Sequence, residues 1–495
     1  MGNNNGNIYH GKPGIIKNEK KCKRCLINPR IVTPIKTVKA KAKVTITPPL
    51  DYTTLLKKNE EAYSMVFTVH YPDEERPAGR PIKKAPCYGQ MLERGAVFGS
   101  VFGWERPNWF APEGYFLPES ELAKPDTILY ENYAPSSGAD KVKEKWSFRR
   151  SNYFEFVGAE CLHVHNKVGL LDMSAFSKNM VEGPGAEDWL ESLFANRLPR
   201  SIGRIGLCHL LTAKGGVRSE FTVYRLAVDR FYLVSAGMYD RHDFDYLSKA
   251  LPTDGSVQVR NITEDHGVLV VAGPNSRGLL QKLTDTDFSN QAFPWLSGQN
   301  ILIGGIETKA IRVNFVGELG WELHHPINQM ESLYDAIYEV GQKEKIINFG
   351  TYAVNSLRME KAYRGWGSEL TGEISLVEAG MDRFFNLKKK NNFIGAKALE
   401  EKIQSGVDIK IVYLEVDVDD VDARGNEPVY HNNKVVGVVT SGGYGFRTKK
   451  SLAFAYVKSD LVEASNLEIE IQGKKRKAKI LHKVVYDPEN KKLTA

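Results

Sequence analysis

The chain has 495 residues, 42% of them hydrophobic and 26% charged, enough for a sizeable core and about two to four domains. Its net charge of +7 is uneven: of 67 Lys+Arg and 60 Asp+Glu, residues 1–50 hold 11 and 1, leaving 56 against 59 for the rest. A nearly neutral body without an aromatic-interleaved basic face argues against a nucleic-acid partner, and no run approaches the roughly 20 apolar residues of a membrane span.

The five cysteines show no disulfide spacing, and Cys22/Cys25 is a single CxxC. A reducing compartment is expected, the cytoplasm or, in a eukaryote, the mitochondrial matrix. The start has no apolar signal core, no serine before Ser64 to suit a transit peptide, and Gly6 where myristoylation needs Ser or Thr.

Residues 1–58, rich in Lys, Asn, Pro and Gly, read as a basic, loosely docked segment. Residues 59–117 read as a linker. Within it, SMVFTVHYPDEERPAGRP predicts a short strand and then a turn-rich connection. LERGAVFGSVFGWERPNWFAP, Leu92 to Pro112, is dense in glycine and aromatics, as a bulged strand or loop beneath packed rings would be. Residues 118–404 read as one domain of mixed helices and strands. A helix at Phe154–His165 leads into VGLLDMSAFSKNMVEGP, a strand pair closed by a turn at Gly183-Pro184, and Ala186–Ala195 is an amphipathic helix.

Strands dominate Ile205–Ala236. Within that run GGVRSEFTVYRL, Gly215 to Leu226, alternates after a two-glycine turn, with Phe221, Val223 and Arg225 on one face and Glu220, Thr222 and Tyr224 on the other. Glu220 is thus a carboxylate on a rigid strand beside an open turn, suited to acid/base work on a bound ligand; the alternative is a solvated strand face. A helix at Asp243–Lys249 and a strand at His266–Ala272 follow. The next helix opens at GPNSRGLLQKLT with Asn275 and Ser276 available as caps. Lys309–Phe315 reads as a strand, and Met330–Lys343, Ala353–Lys361 and Gly395–Ile403 as helices. Residues 405–495 carry short strands with turns every 8 to 12 residues, a small barrel or sandwich.

Three further stretches place polar groups where a ligand site would want them: Asp172, Met173 and Ser174 in LLDMSAF; Glu322 beside Gly317 and Gly320 in FVGELGWELHHP; and Arg358, Glu360, Arg364 and Glu369 at and beyond a helix end. His163 and His165 alternate as a strand pair would, and His324 and His325 adjoin, but neither pair has a third ligand at useful spacing, so no metal is expected. Lys474–Lys479 reads as a solvated hairpin face, and Phe98, Phe102 and Trp104 as core.

In this order the motifs resemble the folate-binding T-protein family, the aminomethyltransferase of glycine cleavage. They are the V-G-L-L-D-M-S strand, the G-G-x-x-x-acid-x-T-V turn, G-P-x-S-R, G-E-x-G-W-E, S-L-R-x-E-K, F-I-G-A-K-A-L and VTSGGYG at Val439–Gly445. The resemblance spans roughly residues 150 to 490, and HYPDEERPAGRP with GAVFGSVFGWERPNWF looks like the linker upstream of this module in dimethylglycine and sarcosine dehydrogenases.

It implies an α+β fold of three lobes with antiparallel sheets and a C-terminal β domain, and tetrahydrofolate as cofactor. Matched positions make Glu322 the acceptor for the pterin N–H groups and Glu220, where the family has Asp, the acid near the N5/N10 edge. Arg358 would lie near the glutamate tail or pterin, and Tyr232, Met173 and Trp366 would line the pocket. The alternatives are an ion pair to Glu360 or Glu378 for Arg358 and core packing for Met173. No G-x-G-x-x-G follows a strand near the start, so FAD is not expected in this chain. The implied activity is one-carbon or aminomethyl transfer to folate from a methylamine-type donor, in one version with a separate FAD-containing subunit. Alternatives are a non-catalytic regulator like the regulatory subunit of pyruvate dehydrogenase phosphatase, or a truncated remnant.

Overall fold

The computed structural model describes residues 45–46, 52–112, 146–389 and 392–495, all within one compact unit that begins at Ala42. Readings made for residues 1–44 lie outside the described residues. Tyr52–Ser64 is a helix without a buried residue, so the end of the segment read as loosely docked is helical. The apolar stretch after it forms turns and not the expected strand: Val66, Phe67 and Val69 are exposed, and β propensity without a partner strand does not hold a strand.

Ala96–Val101 and Trp104–Phe110 pair as an antiparallel hairpin with a bulge between Val97 and Phe98. Trp109 from this hairpin is fully buried, stacked on Phe156 and tilted against Tyr153. Phe98 and Trp104 are buried as expected, but Phe102 is exposed at the tip, where the turn requires a φ of +51°. Glu160, on the helix Phe154–Asn166, accepts from the Phe110 N–H at 2.7 Å and the Gly350 N–H at 2.8 Å, tying the hairpin to the start of the helix Thr351–Glu360.

Two antiparallel sheets carry the centre of the molecule. The first has the order Gln258–Asn261, Ser177–Glu182, Arg230–Ser235, Val217–Ala227, Ile205–Leu211. Phe221, Val223, Phe231 and Leu233 on one face pack beneath Leu190 and Leu193 of the helix Ala186–Leu193 and Leu247 of the helix Asp240–Lys249. This is the period-2 burial read from the sequence. The second sheet runs Gly298–Ile303, Ile306–Ile311, Gly320–Pro326, His266–Ala272, Gly169–Asp172, with Ile347–Asn348 added in parallel at its edge. Leu269, Val271, Trp321 and Leu323 on one face meet Leu333 and Ile337 of the helix Met330–Gly341. The opposite face carries Leu171, Val268 and Val270, and with them Glu322 and His324.

The last six strands close into a barrel in the order Ile409–Val416, Lys450–Lys458, Lys434–Gly445, Pro428–His431, Leu467–Ile471, Lys474–Ile480, deciding between barrel and sandwich. In its last hairpin Lys475 and Lys477 stand opposite Glu470 and Glu468. Three local expectations are corrected. The strand read over Lys309–Phe315 is Ile306–Ile311, because the Asn314 side chain accepts from the Val316 and Gly317 N–H groups and turns the chain. Asn275 occupies the N-cap position without a side-chain cap bond, and Ser276 donates instead to the Leu319 carbonyl. His163 and His165 lie on a helix, so they point apart: His163 meets the Lys345 carbonyl, and His165 is buried between Glu318 and Glu360.

Candidate functional site

The two-glycine turn positions Glu220. Gly215 adopts a φ of +82°, and Gly216 lies so close to the Gly372 carbonyl that any Cβ would collide with it. From that fixed point the strand Val217–Ala227 sets its register, placing Glu220 directly opposite His209. His209 Nε2 lies 2.8 Å from Glu220 Oε2; the histidine is fully buried, whereas the glutamate side chain keeps 21% of its surface exposed. The His209 ring meets Phe384 edge-on, and its Nδ1 is buried without a hydrogen-bond partner.

Four residues further along the same face, Tyr224 pairs with Tyr232 across the sheet. Four residues of strand span about 13 Å. Tyr232 is fully buried and its hydroxyl lies 3.0 Å from His324 Nδ1 on the second sheet; His324 Nε2 lies 3.2 Å from Glu322 Oε2. Burial alone pushes the Glu322 carboxyl up to about 8. Burial, with Lys178, His266, His325 and Lys309 nearby, holds His324 well below its usual range, as a neutral ring. Neutral His324 allows two directions of bonding. With Glu322 ionised, the Tyr232 O–H donates to Nδ1 and Nε2–H donates to the carboxylate; with a proton on Glu322 Oε2, both bonds reverse and the Tyr232 hydrogen has no acceptor among the described residues. A ligand offering N–H groups to Glu322 favours the first arrangement.

Trp366 borders the apolar cluster that includes Leu211 and Phe384, at the Glu220 end. Its ring stands 3.9 Å from that of Tyr239, centroid to centroid, and its buried Nε1 has no partner. Met173 is partly buried against Leu171, Val268 and Val270, the packing alternative. Arg358 is engaged elsewhere: its guanidinium meets Glu369 at 3.1 Å, Ser441 at 2.9 Å, Asn355 at 3.0 Å and the Tyr363 carbonyl at 3.1 Å. The ion-pair alternative therefore describes its geometry, with Glu369 as partner; Glu360 binds His165 and Thr448, and Glu378 binds Lys402 and Ser375. Among the described residues no group of three or more His, Cys, Asp or Glu side chains could hold a metal ion.

Comparison with known proteins matches residues 87–389 to the GCVT N-terminal domain and residues 410–487 to the glycine cleavage T-protein C-terminal barrel domain. The chain belongs to the glycine-cleavage T-protein family. It is 39% identical over 440 residues to mitochondrial dimethylglycine dehydrogenase of Homo sapiens, covering 88% of this chain and 48% of that protein. It is 32% identical over 368 residues to an aminomethyltransferase of Thermoanaerobacter sp. (strain X514), covering 74% of this chain and 98% of the other. The chain thus spans about half the length of the dehydrogenase. The structure of the glycine cleavage system aminomethyltransferase T from Bartonella henselae shares the fold, with a TM-score of 0.65 at 23% identity over 82% of this chain and 98% of that one.

Within this T-protein fold, His324 reads from the sequence only as a metal-pair candidate beside His325, and His209 is not singled out. His324 follows Glu322 by two residues on a strand, so a shared face was readable from period-2 alternation. His209 needed the hairpin register, which only the turn geometry and its bulge at Leu210/Leu211 fix.

Proposed function

We infer that this chain transfers a one-carbon unit to tetrahydrofolate, as an aminomethyltransferase or as the folate-dependent part of a demethylating dehydrogenase system. The observation that carries the reading is the buried Tyr232–His324–Glu322 chain, which ends on a carboxyl whose only hydrogen-bond partner among the described residues is one imidazole. A group so buried needs a ligand that donates to it, and the pterin's guanidine-like N–H groups have that chemistry. Glu322 would bind and orient the pterin, and the orphaned Trp366 Nε1 beside Tyr239 offers a further donor and ring surface. Bound there, tetrahydrofolate would supply a nucleophilic N5 as the acceptor of a methylene unit carried as an iminium. Glu220, partly exposed at the other end of the sheet face, would take the proton that N5 loses as the C–N bond forms. The donor is a methylamine-type unit, and the chain's 39% identity to dimethylglycine dehydrogenase supports a dehydrogenating partner as the source of the iminium.

Calorimetric titration with tetrahydrofolate tests the reading. Micromolar binding by the wild-type chain, lost in Glu322→Ala, supports it; a wild-type chain that does not bind folate removes it.

A further inference from the structure

The sheet that carries Glu220 holds a group the folate reading does not use. His209 stands on the edge strand Ile205–Leu211 between Leu207 and Leu211 on the same face, fully buried against Phe384. A leucine there would leave no buried polar atom to satisfy. An imidazole there leaves Nδ1 buried and unpartnered, which is destabilising. What offsets it is the bond from Nε2 to Glu220 Oε2 at 2.8 Å. The direction of that bond follows from the surroundings. A proton on Nδ1 would be a buried donor with no acceptor among the described residues, so the hydrogen sits on Nε2 and is given to the carboxylate.

Resting on the proposed transfer to folate, we propose that His209 is a positioning residue that fixes the Glu220 carboxyl by holding Oε2, leaving Oε1 to face the reacting edge of the folate. Glu220 has one more methylene than the family's aspartate, hence one more rotatable bond and a reach longer by roughly 1 Å, and a misplacement of that size lowers rates by about a hundredfold. The imidazole removes that freedom. It touches Oε2 and not the reacting atoms, so its effect passes through Glu220 alone.

The test combines His209→Leu, His209→Gln, Glu220→Gln and the double variant His209→Leu/Glu220→Gln in the full chain. Tetrahydrofolate binding is followed by calorimetry, and the single-turnover rate of methylene transfer from formaldehyde to tetrahydrofolate by absorbance. His209→Leu is expected to lower the rate at least tenfold with folate affinity unchanged, His209→Gln to recover part of it through its amide N–H, and the double variant to be no slower than Glu220→Gln. A full rate in His209→Leu, or losses that multiply in the double variant, overturns the proposal. Nitrogen-15 NMR of the imidazoles is independent of folate. An Nε2–H tautomer at His209 whose resonance moves in Glu220→Gln supports the dyad even in a chain that binds no folate, and an Nδ1–H tautomer sinks it.

Discussion

Glu322 links affinity and stability through one proton. Unfolded, its carboxyl titrates near 4.5; folded, burial raises it to about 8. Between those values the folded chain keeps a proton that the unfolded chain has released. The stability due to the neutral form is therefore complete below about 4.5 and is lost as pH rises through about 8, up to roughly 5 kcal/mol. Glu160, raised to about 8 by the same cause and opposed only by its two backbone donors, adds a similar slope. Urea unfolding at pH 6 and 8.5 should show the wild-type midpoint falling, and Glu322→Gln should lose about half of that fall; an unchanged slope counts against a buried neutral Glu322. Folate affinity should run the opposite way, strengthening from pH 6.5 to 8 with proton release visible in buffers of different ionisation enthalpy. Arg358 makes a separate prediction. Glu369→Ala leaves a guanidinium buried without its counter-charge and should cost about 3–5 kcal/mol in urea, whereas the paired change Arg358→Met/Glu369→Leu should cost less.

The turn Thr212–Gly216 decides where the strand behind it begins. Thr212 N–H donates to the Gly216 carbonyl and Val217 N–H to the Ile374 carbonyl, both at 2.8 Å, so the hairpin is anchored on two sides. Gly216→Ala should push against the Gly372 backbone, lower stability by about 1–3 kcal/mol in thermal melts, and slow transfer more than it weakens folate binding; a variant with wild-type melting and rate would show that the close approach relaxes freely. How much of this could be read beforehand differs by element. The alternation of Phe221 and Val223 against Glu220 and Tyr224, and the helix at Phe154–Asn166, follow from periodicities of two and 3.6 that burial enforces. The pairing of Glu220 with His209 does not, because register belongs to the tertiary turn contact with Gly372. Nor does the partner of Arg358: the expected partners are Glu360 and Glu378, but Glu369 is presented to it by the loop after Tyr363, whose path is set by the barrel strand carrying Thr440 and Ser441.

Across the whole molecule the barrel is seated on the helix Thr351–Glu360 largely through directed polar bonds. Asn355 and Ser356 donate to the Gly442 and Tyr444 carbonyls, Thr448 donates to Glu360, and Tyr456 donates to the Glu369 carbonyl, around a small apolar patch of Met359, Tyr413, Leu452 and Phe454. A polar seam of this kind specifies orientation but couples unfolding less tightly than a shared apolar core. Scanning calorimetry should therefore give a calorimetric enthalpy larger than the van't Hoff value; a ratio of one would mean that seam and cores melt together. The first central sheet has the opposite weakness. It ends on Ile205–Leu211, whose outer side has no full partner strand among the described residues and is held by single bonds: the Ile205 N–H to the Leu296 carbonyl, the Asn196 side-chain amide to the Leu207 carbonyl, the Ala195 N–H to the His209 carbonyl, and the Phe194–Leu210 bridge. The orientation of Glu220 thus lasts only as long as that border strand stays in place. Each brief peeling of Ile205–Leu211 swings the imidazole away, and the exchange of its amide hydrogens with solvent measures how often the carboxylate is set loose.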